Sequence, residues 1–196
     1  MQAVDLEIFF NFRSPYCYLA SKHMFDLLDE FHVNLVWLPL GGWSGRSPPE
    51  RAKFKVPIAR QDVGRFARRM GIPHNPPPKT TDPTRAGAVS LLAQDQGQLR
   101  PYVIEVMRAE WAEGQDIGDL DVLLAVAERA GLDRGAAEAA ADDPARHEVL
   151  EANWRRAQER GIFGVPTFMV GEEIYWGQDR IDFVREHLTE LRLARR

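Results

Sequence analysis

The sequence predicts an α/β fold in which one small sheet is interrupted by a block of helices. Three observations predict it: the N-terminal stretch has a strand–helix–strand pattern, the middle of the chain has only helical patterns, and from Gly161 the pattern returns to short strands and a helix. Neither strand-bearing end has enough strands to bury a core alone, so both ends should share one sheet. The predicted order is βαβ, helical block, ββα.

The first unit should place a binding site near Ser14. Apolar runs at Val4–Phe10 and Val33–Leu38 predict strands, and Pro15–Glu30 between them predicts the crossover helix. Such a crossover makes the two strands parallel, and binding sites form at the carboxyl ends of such strands. The segment Asn11–Cys17 lies at that end.

The middle of the chain predicts a helical insertion. A Gly, Ser and Pro-rich loop, Gly41–Pro49, closes the first unit, and Asp119, Asp133 and Asp143 are capping candidates further on. The predicted helices are Ala59–Met70, Pro83–Gly97 capped by Asp82, Arg100–Glu113, Asp119–Ala130, Asp133–Ala141 and Asp143–Arg160. We assign residues 46–160 to this helical domain and residues 1–45 with 161–196 to the sheet domain.

The last unit is predicted to be a hairpin followed by a helix. Thr167–Val170 and Glu173–Trp176 are β-rich runs separated by a two-residue turn, Gly171-Glu172. The stretch from Asp179 to Leu193 has apolar residues along one face, as in a helix that packs on a sheet.

Composition excludes several classes of function. A formal net charge of -4 gives no general attraction to nucleic acid or anionic membrane, and no stretch approaches the roughly 18 to 20 apolar residues of a membrane span. The single cysteine, Cys17, permits no internal disulfide and fits a reducing cytosol, so we expect a cytoplasmic protein. The five histidines lack ligand spacing, so we expect no metal.

Ser14 and Cys17 have the spacing of a C-x-x-C redox motif whose first cysteine is replaced. A hydroxyl cannot attack a disulfide as a thiolate does, which makes disulfide exchange by this chain improbable. It can donate a hydrogen bond to a thiolate carried by a ligand such as glutathione. The simpler alternative is that Ser14 only caps the helix, with Pro15 at its first position, and that Cys17 is a small buried packing residue.

Two later segments could complete a peptide site. Pro166 is trans by default, but a cis bond would expose the N–H and C=O of Val165 to an extended peptide. At the corner Trp176–Arg180, free N–H groups could take a carboxylate and Asp179 an ammonium. The simpler alternative is that Gln178 or Asp179 caps the last helix.

Three motifs together carry a resemblance to a known family. They are F-x-F-x-S-P-Y-x-Y-L-A at Phe10–Ala20, G-x-F-G-V-P-T-F at Gly161–Phe168 and W-G-Q-D-R at Trp176–Arg180. With them the sequence resembles the 2-hydroxychromene-2-carboxylate isomerase family, bacterial relatives of kappa-class glutathione transferases in the DsbA-like thioredoxin superfamily. The resemblance covers almost the whole chain.

The resemblance implies a thioredoxin-like domain of DsbA/kappa type, often a homodimer, with glutathione as cofactor. Ser14 would stabilise the glutathione thiolate, Val165 before a cis Pro166 would pair with the cysteinyl backbone, and Gln178 with Asp179 would hold the γ-glutamyl end. The implied glutathione site also includes Pro15, Tyr16, Trp176 and Gly177. The implied activity is cis/trans isomerisation in aromatic degradation, and the alternatives are a kappa-like transferase, a DsbA-like oxidoreductase and an idle binding module.

The sequence departs from the family pattern on the substrate side. Arg46 stands two residues before Pro-Pro, where relatives often have asparagine, Ile58 stands where tyrosine is frequent, and Asp82-Pro83 stands where Asn-Thr is common. The substrate therefore stays open. Arg46 and Lys55 could pair with the carboxylate of a small aromatic acid, and Trp43 could line its ring.

Overall fold

The strands come from both ends of the chain and form one sheet, as the sequence predicts. The computed structural model describes residues 3–42 and 47–195. Within them, a four-stranded sheet has the order β2-β1-β3-β4. Its strands are β1 Val4–Phe10, β2 Val33–Pro39, β3 Thr167–Val170 and β4 Glu173–Trp176. Strand β1 pairs parallel with β2 and antiparallel with β3, and β3 pairs antiparallel with β4.

Most helices of the described residues lie between β2 and β3. The helices are α1 Pro15–Ala20, α2 Asp26–Glu30, α3 Pro49–Met70, α4 Thr84–Asp95, α5 Leu99–Met107, α6 Leu120–Arg129, α7 Arg134–Ala141, α8 Pro144–Glu159 and α9 Ile181–Glu190. A π-helical turn, Arg108–Ala112, follows α5, and a 3₁₀ turn, Gln178–Arg180, precedes α9. The division into domains at residues 46 and 160 stays a prediction.

Two helix predictions were wrong. The single helix predicted over 15–30 is two helices, because the chain turns at residues 21–25, where the Ser21 hydroxyl donates to the Tyr18 carbonyl at 2.7 Å. Helix α3 begins at Pro49, ten residues before its predicted start at Ala59. An internal proline, Pro57, disfavours a helix there, yet the helix continues through it.

The aspartate caps were predicted correctly. Asp119, Asp133 and Asp143 each accept a hydrogen bond from a backbone N–H of the first turn of α6, α7 and α8. For α4 the prediction was one residue early, since the helix begins at Thr84 with Pro83 at the N-cap position, although Asp82 accepts from the Thr84 N–H at 2.8 Å. Each such cap contributes about 1 kcal/mol to stability.

Alternating side chains of β1 enter two apolar clusters and so fix the sheet between helices. Ile8 and Phe10 join a cluster that includes residues of α1, α9 and the helical block, whereas Phe9 packs with Met169 and with Ala157 of α8. Beyond β1, the buried Phe12 ring meets the Tyr102 ring of α5 edge-on at 6.0 Å. The helical block therefore holds the start of the corner that follows β1.

Candidate active site

The corner between β1 and α1 presents the Ser14 hydroxyl. Ser14 has extended backbone angles, and its Oγ accepts the Cys17 N–H at 3.3 Å, so it is the predicted N-cap, with Pro15 in the first turn. The same oxygen donates its proton to the Val165 carbonyl at 3.2 Å, although the two residues are 151 positions apart. Ser14 therefore both caps α1 and joins two of the motifs.

The Val165–Pro166 bond is cis, which is the isomer that the resemblance implies and not the default of the sequence. The Val165 side of this bond faces Ser14 through the hydrogen bond above. On the other side, the Pro166 carbonyl accepts the Gly177 N–H at 2.9 Å. The loop before β3 thus lies between the corner after β1 and the corner after β4.

The corner between β4 and α9 has no side-chain cap. Gly177 has φ +117°, and a Cβ there would lie 2.6 Å from Asp179 Oδ1, so the turn requires glycine. No side-chain hydrogen bond caps either the 3₁₀ turn or α9. The alternative that Gln178 or Asp179 caps the last helix is therefore wrong. Gln178 is buried, and Asp179 forms an ion pair with Arg180 at 3.0 Å.

Trp176 lies over the loop that carries Val165. A Cβ at Gly164 would lie 2.6 Å from the indole Nε1 of Trp176, so the indole packs directly on the Gly164 backbone. The ring also meets Phe163 edge-on, with 4.5 Å between centroids. Both aromatic side chains are more than half exposed, so they form an open apolar surface beside the cis bond.

Tyr16 connects this corner to the helical block. Its hydroxyl donates to Asp62 Oδ2 of α3 at 3.1 Å. Burial, then the hydrogen bond and the charge of Asp62, raise the pKa of Tyr16 to about 12, and the Asp179 charge adds to the shift. The phenol therefore stays protonated at neutral pH and lies within electrostatic reach of the β4–α9 corner. Sequence reasoning missed Asp62, whose contact with Tyr16 spans 46 positions.

Cys17 is a packing residue, as expected from the sequence. It is fully buried in the main apolar cluster, and burial raises the pKa of its thiol to about 12 despite hydrogen bonds from Asn11 and Ser14 that oppose the shift. The thiol is therefore neutral and inaccessible at physiological pH. It has the properties of an inert cysteine rather than a nucleophile.

Sequence reasoning also missed a buried acid, Glu110, in the π-helical turn. Glu110 is fully buried, and neither carboxyl oxygen has a hydrogen-bond partner among the described residues. The neighbouring Trp111 indole N–H donates to the Phe12 carbonyl at 3.0 Å. Burial raises the pKa of Glu110 well above its usual range, although the Arg13 charge opposes the shift. Its position between the apolar residues Ala109 and Trp111 was the available sequence signal.

Of the predicted substrate residues, only Lys55 lies in the part of the chain that the structure describes. Trp43 and Arg46 lie outside the described residues. Lys55 is exposed on α3, where its Nζ donates to Ser47 Oγ at 3.2 Å. It lies two turns before Asp62 on the same helix. By contrast, the segments carrying Ser14, Val165 and Gly177 are joined by direct hydrogen bonds.

Within the described ranges, no cluster of three histidine, cysteine or acidic side chains could hold a metal ion. No helix in the same ranges combines the length and the apolar character needed to cross a membrane.

Comparison with known proteins identifies the family. A model of the DsbA-like thioredoxin domain matches residues 5–189. The 2-hydroxychromene-2-carboxylate isomerase of Pseudomonas putida is 30% identical, with 95% of each chain covered. A solved 2-hydroxychromene-2-carboxylate isomerase superposes with a TM-score of 0.81 at 28% identity, again with 95% of each chain covered.

A more distant likeness shows the fold alone. The cytosolic disulfide reductase DsbM from Pseudomonas aeruginosa, solved with GSH, has a TM-score of 0.73 at 19% identity, covering 97% of this chain and 100% of that one. The chain therefore belongs to the DsbA-like thioredoxin domain family and, within it, to the family of the 2-hydroxychromene-2-carboxylate isomerases.

Proposed function

We propose that this protein is a glutathione-dependent isomerase of 2-hydroxychromene-2-carboxylate or a closely related aromatic acid. The observation that carries the proposal is the Ser14 hydroxyl, 3.2 Å from the Val165 carbonyl at a helix N-terminus, one turn from a buried Cys17. A thioredoxin-like corner without an accessible thiol of its own suits chemistry in which a ligand brings the thiol. The names of the similar proteins supply the reaction.

The residues present fit glutathione. The Val165 carbonyl can accept a peptide N–H, and the Ser14 hydroxyl can donate to a sulfur anion. The corner after β4 is free of side-chain caps, so its backbone can receive the γ-glutamyl carboxylate, while Asp179 can receive the ammonium. Pro15 and Tyr16 supply the first turn of α1, and Trp176 and Gly177 complete the second corner.

Bound glutathione would supply a thiolate that adds to an unsaturated carbon and leaves again, so that geometry about a bond changes without net oxidation. The Ser14 hydroxyl would exchange its Val165 acceptor for the sulfur, which frees the Val165 carbonyl for the cysteinyl N–H. Both groups therefore stay hydrogen-bonded throughout. The N-terminus of α1 adds partial positive charge where the sulfur anion would lie.

Tyr16 would have a different role from Ser14. Its hydroxyl donates a hydrogen bond to Asp62, and its pKa of about 12 keeps the phenol neutral, so it adds no negative charge near the thiolate. It therefore orients the first turn of α1 against α3. Disulfide exchange by the chain itself is disfavoured by the burial and high pKa of Cys17.

The proposal includes a cellular setting. We infer a cytoplasmic homodimer that takes reduced glutathione and a small acidic aromatic substrate. Support for the cytoplasm comes from the single cysteine and from DsbM, a cytosolic protein of similar fold. The homodimer is what the family resemblance implies.

Calorimetry with glutathione, followed by turnover of 2-hydroxychromene-2-carboxylate with and without glutathione, tests the proposal. We expect binding, and turnover that requires glutathione. Binding without turnover would favour a kappa-like transferase, and absence of both would overturn the assignment. Reduction of insulin that is lost in Cys17→Ser would instead revive the oxidoreductase.

A further inference from the structure

The turn that carries Ser14 is held by the helical block as well as by its own hydrogen bonds. Within the turn, the Ser14 N–H donates to the Asn11 carbonyl at 3.0 Å, and the Arg13 N–H donates to the Asn11 side chain at 2.8 Å. The Phe12 carbonyl accepts the indole N–H of Trp111 at 3.0 Å, from a residue 99 positions away. Phe12 and Trp111 are both buried. A side chain of the helical block therefore contacts the backbone of the corner directly.

The Trp111 hydrogen bond fixes the orientation of one peptide group. The Phe12 carbonyl belongs to the planar group that joins Phe12 to Arg13, so holding its oxygen limits the direction in which the chain enters Ser14. The two hydrogen bonds of Ser14 Oγ itself are 3.3 and 3.2 Å long, at the far end of the usual range, and constrain the hydroxyl less than shorter bonds would. The direction of the hydroxyl therefore depends on the backbone before it.

The segment between α3 and α4 holds Trp111 in turn. The Trp111 carbonyl accepts the Asn75 N–H at 2.7 Å, and the indole stacks parallel to the His74 ring with 6.1 Å between centroids. The Arg13 guanidinium lies 5.9 Å from the centroid of the same indole. Its Nη2 donates to both carbonyls of Pro78–Lys79, at 3.2 and 3.1 Å. One proline-rich segment thus contacts both side chains that hold the corner.

The π-helical turn Arg108–Ala112 carries Trp111. Such turns are rare and occur mostly as single turns at functional sites. This turn also buries Glu110, whose carboxyl oxygens have no hydrogen-bond partner among the described residues. Burying a polar group in this way is costly, so the turn needs a reason other than stability. The hydrogen bond from Trp111 to the corner supplies one.

We propose that Trp111 and Arg13 are positioning residues, which hold the corner so that the Ser14 hydroxyl points at the sulfur of bound glutathione. This inference rests on the proposed function and adds to it a role for the helical block. Neither side chain has to touch the ligand. A donor that is displaced by a fraction of an ångström stabilises an anion less, because a hydrogen bond weakens with distance and angle. The effect of either residue should therefore pass through Ser14.

Trp111→Phe removes the N–H and keeps an aromatic ring. The pKa of the thiol of bound glutathione, followed by the ultraviolet absorbance of the sulfur anion, reports how well the Ser14 hydroxyl is placed. We expect Trp111→Phe to raise this pKa by about half a unit and to lower kcat/KM by about threefold. Arg13→Lys keeps the charge but shortens the reach to the two carbonyls, and should raise the pKa by about 0.3 unit.

Trp37→Phe is the matched control. Trp37 is also buried, and its indole N–H also donates at 3.0 Å, but the acceptor is the Ser90 hydroxyl of α4. We expect this variant to lose stability to urea as Trp111→Phe does, and to leave the pKa of the bound thiol unchanged.

A double variant tests whether Trp111 acts through Ser14. In protein that already carries Ser14→Ala there is no hydroxyl to position, so adding Trp111→Phe should leave the pKa of the bound thiol where Ser14→Ala alone puts it. A residue that acts on the thiolate directly would instead give the same shift with and without the hydroxyl.

Three results would overturn the positioning role while leaving the proposed function intact. They are no rise of the pKa in Trp111→Phe, an equal rise in Trp37→Phe, and an equal rise with and without the Ser14 hydroxyl. If circular dichroism shows that Trp111→Phe does not fold, Arg13→Lys decides, and an unchanged pKa in that variant overturns the role. If wild-type protein binds no glutathione, the proposed function itself fails and the positioning role fails with it.

Discussion

The two strand-to-helix corners of the sheet use opposite local solutions. After β1, the first turn of α1 is capped by a side chain, since Ser14 Oγ accepts the Cys17 N–H at 3.3 Å. After β4, Gly177 turns the chain with positive φ, and neither the 3₁₀ turn nor α9 receives a side-chain cap. The loop of Val165 and Pro166 is hydrogen-bonded to both corners.

This difference suggests that the two corners bind different parts of one ligand. A capping hydroxyl accepts from the helix through a lone pair, and its O–H, which donates to the Val165 carbonyl in this structure, can be redirected to an anion. The second corner keeps its backbone donors and adds the Asp179 carboxylate, which suits the charged end of an amino acid. We therefore propose the first corner for the glutathione thiolate and the second for the γ-glutamyl group.

Ser14→Ala should give the largest effect. Loss of a donor aimed at a developing anion lowers kcat/KM by about a hundredfold, whereas loss of the cap costs only about 1 kcal/mol of unfolding free energy. Steady-state kinetics and urea unfolding measure the two quantities separately. Ser14→Thr, which keeps a hydroxyl and a capping oxygen, is the control. Unchanged kcat/KM in Ser14→Ala would reduce Ser14 to a cap.

Asp179→Asn should act on binding rather than on rate. Removing the charge that we propose binds the ammonium should raise the dissociation constant of glutathione by about tenfold, with kcat nearly unchanged at saturating glutathione. Calorimetry gives the constant. Asp182→Asn is a control one turn away, since Asp182 is exposed and pairs with Arg185 at 2.6 Å. An equal effect in both variants would mean general charge and not a specific site.

Glu110→Gln should change how the free energy of unfolding depends on pH. Because burial raises the folded-state pKa of Glu110, the unfolded chain ionises first as pH rises. The contribution of Glu110 to stability is therefore complete below about pH 4 and is lost as pH rises toward the folded pKa.

The glutamine variant should thus match the wild type near pH 4 and exceed its unfolding free energy at neutral pH. The difference should grow by up to about 1.4 kcal/mol per pH unit between the unfolded and folded pKa values. Urea unfolding at several pH values measures it. A variant that is less stable than the wild type at neutral pH would show that Glu110 is ionised and favourably paired.

Cys17→Ala should have the smallest effect on activity. The thiol is buried with a pKa near 12, so glutathione-dependent turnover should stay within about twofold of the wild type, at a stability cost of about 1 kcal/mol for the lost packing. Iodoacetamide should not label the native protein. Loss of turnover with the fold intact, seen by circular dichroism, would give the thiol a catalytic part.

The sequence predicted local features better than contacts between distant residues. The strands, the aspartate caps and Ser14 at the start of α1 follow from neighbouring residues. The break before α2 was missed because a serine such as Ser21 does not by itself predict that a helix ends. The early start of α3 was missed because an internal proline normally interrupts a helix, whereas α3 continues through Pro57.

Features that depend on tertiary structure could not be read from one sequence. The Tyr16 contact with Asp62 joins residues 46 positions apart. The burial of Glu110 without a hydrogen-bond partner depends on how the π-helical turn meets the corner. The cis bond at Pro166 was expected only from the resemblance.

Thiolate absorbance of bound glutathione tests the central claim most directly. Titrating the saturated protein with base and following the ultraviolet absorbance of the sulfur anion gives the pKa of the bound thiol, with Ser14→Ala measured in parallel. We expect the bound thiol to ionise at a clearly lower pH than free glutathione, and the shift to shrink in Ser14→Ala by about one unit or more. A bound thiol that titrates like free glutathione, or the same in both proteins, would contradict the account.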